Sequence, residues 1–210
     1  MILIGQFDSP FVRRVGIALK LYRIPFEHRP WSTFGDAGKI RPYNPLTRVP
    51  TLVLDDGEVL IDTFAILDYL DERVGPSRAL IAESGPERRR TLKVCALASG
   101  LADKAVSLIY ERGLHTQTSQ VWIDRCRAQI GAGFDALEAE RSGRASPWWS
   151  GDSIGHGDIA VACVIRLTRE VHADLFDFAR WSALLAHAER CEARPEFQEI
   201  SQPFAAPARA

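Results

Sequence analysis

The sequence predicts an α/β unit followed by an all-helical unit. Short β-branched runs alternate with helical patterns across the first third of the chain. Long amphipathic patterns, with no convincing strand among them, fill the remainder. Between the two lies "GPSRALIAESGP", a stretch rich in turn formers. The 210 residues fit one large domain or two small ones, and the pattern divides them into 1–76, a linker at 77–85, and 86–210.

"ILIGQF" is short, apolar and β-branched, and reads as the first strand. In "PFVRRVGIALKLYR" Phe11, Val15, Ala18 and Tyr22 recur at helical spacing, with Val12 and Leu19 alongside. Pro10 suits the first helical position and Ser9 the cap before it. "PFEHRPW" is a second short strand, so strand, helix and strand form a βαβ unit with parallel strands. "RPYNPLTR" is a loop with a short irregular helix before it.

"VPTLVLDDGEVLI" holds two apolar runs joined around Asp56-Gly57, which predicts an antiparallel hairpin. "DTFAILDYLDERVG" then reads as a helix, with Phe64, Ile66, Leu67 and Leu70 as its apolar face and Gly75-Pro76 as its stop. The sum is βαβ then ββα, a mixed four-stranded sheet. Beyond it, helices are expected over about 86–112, 117–141, 156–172 and 179–193. "RSGRASPWWSGDSIG" is the main break among them, and no internal repeat is evident.

Composition narrows the function. The chain is 46% hydrophobic and 25% charged, ordinary for a globular protein with a real core. A net charge of −1 provides no basic field to draw nucleic acid or an anionic membrane, so neither is an expected partner. No apolar run approaches the roughly 20 residues that span a bilayer. "MILIGQFD" lacks a basic n-region and a cleavage site, and reads as a strand, not a signal peptide. Cys95, Cys126, Cys163 and Cys191 are widely spaced with no CxxC pair, which points to buried reduced thiols in a cytoplasmic protein and to no metal site.

Five segments in order, "SPFVRRV", "NPLTRVPTLVLDDG", "LIDTFAILDYL", "IGHGDIAVA" and "ERCEARPEF", resemble the cytosolic glutathione transferase family over essentially the whole chain. The resemblance implies a thioredoxin-like N-terminal domain followed by an all-α C-terminal domain. It also implies glutathione as co-substrate, no metal, a homodimer, and conjugation of a small hydrophobic electrophile in detoxification.

Residue by residue, it implies a cis bond before Pro50, which turns the Val49 backbone outward to pair with the cysteinyl part of glutathione. Asp62 would pair with the γ-glutamyl amino group, and Thr63 would take its carboxylate at a helix N-terminus. Simple helix capping uses the same two residues. Arg48 would reach the glycyl carboxylate, with a solvated surface arginine as the equal alternative. Ser9 takes the catalytic place: its hydroxyl donates to the glutathione sulfur and lowers a thiol pKa that is ordinarily about 8.5. "SPF" matches the start of a glutaredoxin-like motif without either cysteine, which disfavours disulfide exchange through the protein.

Four further expectations follow. Arg13 and Arg14 read as exposed helix-face arginines, one of which can alternatively support the site. Asp158 reads as structural, three residues after a cap at Gly155, with Ile154 and Ile159 as a hydrophobic staple and His156 as a solvated first-turn residue. The second-substrate site, by position, draws on Phe11, Trp31, Phe34, Leu101, Ala105, Leu108, Ile109 and Arg112. Rival readings are a glutathione-dependent isomerase, dehalogenase or peroxidase, a non-catalytic glutathione-binding or interaction protein, and a glutaredoxin-like reductase. "DSPFVRR" lacks the Ser-rich, Cys-containing run of the maleylacetoacetate isomerase pattern.

Overall fold

The structure is a computed structural model and describes residues 1–207. Strand β1 (Ile2–Ile4), helix α1 (Pro10–Tyr22) and strand β2 (Glu27–Arg29) form the βαβ unit, with β1 and β2 parallel and Leu3 opposite His28. After the short α2 (Ala37–Ile40), β3 (Thr51–Val53) and β4 (Val59–Ile61) make the hairpin, with Leu52 opposite Leu60. Strand β3 also runs antiparallel to β1, Leu3 facing Leu52, so the mixed sheet has the order β2-β1-β3-β4. Helix α3 (Thr63–Val74) completes the unit. Each strand keeps only three residues, fewer than its apolar run suggests. Gly5, at φ +128°, turns the chain out of β1, and a tight turn at Leu54–Gly57 closes the hairpin.

The second unit contains α4 (Gly85–Leu114), α5 (Gln120–Ser142), α6 (His156–Val171), α7 (Ser182–Glu192) and the five-residue α8 (Pro195–Glu199). The helix expected over 179–193 begins at Ser182, because a 3-10 turn at Phe178–Arg180 occupies its first residues. Helix α8 has no counterpart in the sequence reading; five residues are too few to show a period. Helix α6 is buried without a break from Gly155 to Ile165. Its Ala160, Val161 and Val164 join the helical core, and its Ile159, Ala162 and Cys163 join the core beneath the sheet. All four cysteines are buried and free. Among the described residues no helix is long and apolar enough to cross a membrane.

Asp158 fixes the start of α6. Its Oδ2 accepts the Gly155 N–H at 2.8 Å, and its Oδ1 accepts the Trp149 N–H at 2.7 Å, tying the 149–155 loop to the helix. Ile154 packs against the cluster that holds Ile159, as a staple requires. His187 lies beside it, Nε2 3.5 Å from Asp158 Oδ1, with both side chains buried. Burial pushes Asp158 up to about 6, against its two backbone hydrogen bonds. Burial and the nearby Arg141 push His187 down to about 4.

Three joints hold the units together, and each corrects the sequence reading. Arg13 is 1% exposed, not a surface residue. It grips Glu192 of α7 through Nη1 and Nη2 at 2.6 and 2.7 Å, and donates to the carbonyls of Ile200 at 2.8 Å and Phe197 at 2.9 Å. Arg14, 3% exposed, turns toward α4 and donates to Ser99 Oγ at 2.7 Å. His156 is 4% exposed rather than solvated, because the first turn of α6 faces α3: its Nε2 lies 3.0 Å from both oxygens of Asp71. Tyr22 Oη also donates to Asp71, and the Leu80 N–H reaches both groups. Burial alone would raise the Asp71 carboxyl, but hydrogen bonding and attraction from His156, with help from Tyr22, hold it below the usual range.

Replacing Arg13 by Leu leaves Glu192 without its bidentate partner and two carbonyls without a donor. The expected loss is about 3 kcal/mol, or roughly 10 °C in the thermal midpoint. A midpoint within a degree or two of wild type would show that the clamp contributes nothing.

The Asp158–His187 pair gives a sign-specific expectation. Between about pH 4 and 6 the unfolded chain keeps a proton on histidine, while the folded chain keeps it on Asp158. The proton count matches, so the pair adds almost no slope to stability in that window. In His187→Gln only the raised Asp158 remains, and stability should fall as pH rises from about 4 to 6, by on the order of 2 kcal/mol. In Asp158→Asn only the lowered His187 remains, and stability should rise with pH from about 4 to 6.5. Urea unfolding of the three proteins across this range reads the slopes, and identical slopes would refute the exchange of proton site.

Candidate functional site

Ser9 occupies the N-cap of α1 in an extended conformation, and its Oγ accepts the Val12 N–H at 3.4 Å. That bond uses a lone pair and leaves the hydroxyl proton with no acceptor among the described residues. The proton is free to go to an anion, at the end of α1 where the helix dipole is positive. Pro10, with no N–H of its own, follows at the first helical position.

The Val49–Pro50 bond is cis. Asn44 and Thr51 both donate to the Arg48 carbonyl, at 2.9 and 3.2 Å, which fixes the entry into β3. The Val49 N–H and C=O have no hydrogen-bond partner among the described residues. Gly5 lets these pieces meet: a Cβ there would lie 2.5 Å from the Val12 side chain and 2.8 Å from Val49 Cβ. One bare backbone position thus sets the approach of α1 to the Val49 loop.

Asp62 is the N-cap of α3 and accepts the Phe64 N–H at 2.8 Å. Its φ of +74° is a costly conformation for a residue with a side chain. Thr63 is buried, with its hydroxyl 3.5 Å from the Phe11 carbonyl, so it ties α3 to the first turn of α1. Arg48 is exposed, with its nearest acid Asp103 of α4 at 3.9 Å. Burial, together with the nearby Asp62 carboxylate, raises the Asp103 pKa against the pull of Arg48.

A cleft of ≈ 540 Å³ opens between the two units. Ser9, Phe11, Trp31, Phe34, Arg48, Val49 and Ile109 line it; Pro50, Asp62 and Thr63 do not. Its far wall is one face of α4: Asp103, Val106, Ser107 and Tyr110. The other α4 candidates sit elsewhere. Leu101, Ala105 and Leu108 are sealed in the helical core, and Arg112 is tied to Asp174 at 2.6 Å and to His172 at 3.3 Å. Choosing apolar residues along a long helix selects its core stripe, and the cleft lies on the adjacent face.

Three cleft features escaped the sequence reading. Tyr110 stacks edge-on against Phe34 at 5.3 Å, and burial raises its phenol pKa, so the hydroxyl stays a donor. Asp8, raised mainly by burial, accepts the Ala205 N–H at 3.0 Å. The C-terminal segment crosses the cleft there and adds Phe204, Ala205 and Pro207 to its lining, held also by Glu170 on the Phe204 N–H at 2.6 Å. The spacing of 103, 106, 107 and 110 is a readable helical face, whereas nothing local in "SQPFAAP" tells where it docks. Among the described residues no His, Cys, Asp and Glu side chains gather as a metal ion would require.

The profile described as "Glutathione S-transferase, N-terminal domain" matches residues 3–78, and "Glutathione S-transferase, C-terminal domain" matches 120–190. An uncharacterized GST-like protein, YibF of Escherichia coli, is 30% identical over 79% of this chain and 80% of its own length. The maleylacetoacetate isomerase of Pseudomonas aeruginosa is 29% identical over 95% of this chain and 94% of its own. A glutathione S-transferase of Methylobacterium radiotolerans, solved in complex with glutathione sulfonate, superposes with a TM-score of 0.88 at 27% identity, covering 97% of each chain. With the mixed sheet, the cis Val49–Pro50 bond and the helical second unit, these likenesses make the chain a member of the glutathione S-transferase family.

Proposed function

We infer that the chain binds glutathione in the cleft between its units, holds the sulfur as thiolate at Ser9, and adds it to a small hydrophobic electrophile. The observation that carries this reading is the meeting, in one cleft, of an uncommitted Ser9 hydroxyl proton and the unpaired backbone edge of Val49. An extended cysteinyl unit paired to Val49 as an added strand would lie along the wall that Ser9 also lines. The Ser9 hydroxyl would then donate to the sulfur. A charge-assisted bond of this kind favours the thiolate by about 1.5–3 kcal/mol, and the start of α1 adds a few tenths more. The thiolate attacks the electrophilic carbon and forms the C–S bond as a leaving group departs with its electron pair, or as a C=C bond opens and its far carbon takes a proton from water; Ser9 forms no covalent bond.

Asp62 and Thr63 at the start of α3 suit the γ-glutamyl end, and exposed Arg48 suits the glycyl carboxylate. The apolar wall of Phe11, Phe34 and Ile109 suits a hydrophobic partner, with the Tyr110 hydroxyl as a donor within it. Pairing of two copies in the cytoplasm belongs to the same proposal, and sedimentation mass tests it. A second reading, a glutathione-dependent isomerase, is favoured by the full-length similarity to the Pseudomonas aeruginosa maleylacetoacetate isomerase. It uses the same thiolate but regenerates glutathione, so loss of free thiol over the reaction separates conjugation from isomerisation.

Calorimetric titration of the purified protein with glutathione should give saturable binding. Asp62→Asn keeps the helix cap while removing the charge, and should weaken binding roughly tenfold. No heat at millimolar glutathione would sink the reading.

Ser9→Ala should leave glutathione affinity near wild type. It should shift the pH midpoint of the bound thiol's ultraviolet thiolate absorbance upward by about one unit or more, with kcat/KM down about tenfold at neutral pH. An unmoved midpoint would remove Ser9 from the mechanism.

A further inference from the structure

The cleft between the units carries a charge that nothing beside it balances. Arg48 and Asp103 lie 3.9 Å apart. The Lys104 ammonium lies 5.3 Å from the centre of the Trp122 ring on α5. Asp8, at the turn before α1, lines the same cleft, and no cation among the described residues pairs with it. Its carboxylate meets backbone N–H groups instead: that of Ala205 at 3.0 Å, with smaller contributions from Ser9 and from Asp8 itself. Burial raises its pKa against these bonds, and the nearby Glu170 carboxylate adds to the rise.

Two features aim this carboxylate at the electrophile. Asp8 and Ser9 are consecutive, with Cα atoms about 3.8 Å apart. A small molecule whose carbon meets a sulfur at Ser9 therefore also comes within reach of Asp8. Across the cleft, burial raises the Tyr110 phenol pKa and the Asp8 charge adds to it, so the carboxylate lies within electrostatic range of the α4 wall. Phe11, Phe34, Ile109 and Phe204 add apolar, mostly aromatic lining. Aromatic faces attract cations, and a carboxylate against apolar walls is costly without a counter-charge. An anion here would meet like charge from Asp8 and, beyond it, Glu170.

We propose that the cleft selects an electrophile carrying a protonated amine, with Asp8 as the residue that pairs with it. The ammonium donates to the Asp8 carboxylate, which the Ala205 N–H holds in place, and the aromatic lining covers it. The electrophilic carbon is left toward Ser9. Asp8 decides which substrate enters and takes no part in forming the C–S bond. This selection rests on the proposed binding of glutathione in the same cleft.

The test is calorimetric titration of the full chain at neutral pH with glutathione and with three conjugates of one shape. They are S-(4-aminomethylbenzyl)glutathione, S-(4-hydroxymethylbenzyl)glutathione and S-(4-carboxybenzyl)glutathione, which carry a cation, a neutral group and an anion. The cation should bind at least about tenfold more tightly than the neutral conjugate, and the anion most weakly. Asp8→Asn keeps an acceptor for the Ala205 N–H and should erase the preference for the cation. Asp8→Glu keeps the charge and should retain most of it. A preference that persists in Asp8→Asn overturns the proposal. Loss in both variants traces the preference to the segment that Asp8 anchors, and overturns selection by charge. If glutathione binds while the three conjugates bind alike, or none binds, this proposal falls and the glutathione reading stands. If glutathione itself does not bind, both fall.

Discussion

The buried Arg13 guanidinium sets the geometry on which the cleft depends. Helix α1 carries Ser9 at its first turn and Arg13 one turn later. By holding Glu192, Phe197 and Ile200, Arg13 fixes that helix against α7 and the chain that follows it. A guanidinium can satisfy this many acceptors only from one position, because its donors form a rigid planar fork. The Tyr22–Asp71–His156 cluster pins the far end of α1 to α3 and α6 in the same way. With both ends held, the Ser9 hydroxyl is presented at a fixed place opposite the 103–110 face of α4. The cleft is a product of this docking, since neither unit alone supplies both walls.

The chemistry of the cleft follows from what is left unpaired within it. Ser9 uses its oxygen to cap α1 and keeps a proton to give. Val49 lies just before β3, with a backbone edge that no neighbouring strand takes. Asp62, outside the lining of the cleft, holds an unfavourable positive φ at the head of α3, a cost that the cap to Phe64 only partly offsets. Each is a small departure from the best local structure, and all three lie where the family resemblance expects glutathione. The Asp158–His187 pair lies apart from this machinery and serves to set the start of α6.

Much of this was legible in the sequence because it rests on local rules. Asp56-Gly57 announced the hairpin, Ser9-Pro10 announced the start of α1, and the periodicities of α3 to α6 were strong. What was not legible depends on long-range docking. Arg13, Arg14 and His156 look like surface residues by type, and only the meeting of α1, α3, α4, α6 and α7 buries them. On α4, apolar residues 101, 105 and 108 mark the core stripe, while the cleft-lining face carries Asp103, Ser107 and Tyr110, which a search for hydrophobic walls passes over. The closing segment at 201–207 has no period of its own, so its course over the cleft follows from its anchors on Asp8 and Glu170.

The measurement that reaches the centre of this account is a crystal structure of the chain grown with glutathione. The account predicts the sulfur within hydrogen-bond distance of Ser9 Oγ and the cysteinyl backbone paired with the N–H and C=O of Val49. A sulfur bound to another group, with Val49 left unpaired, would contradict it.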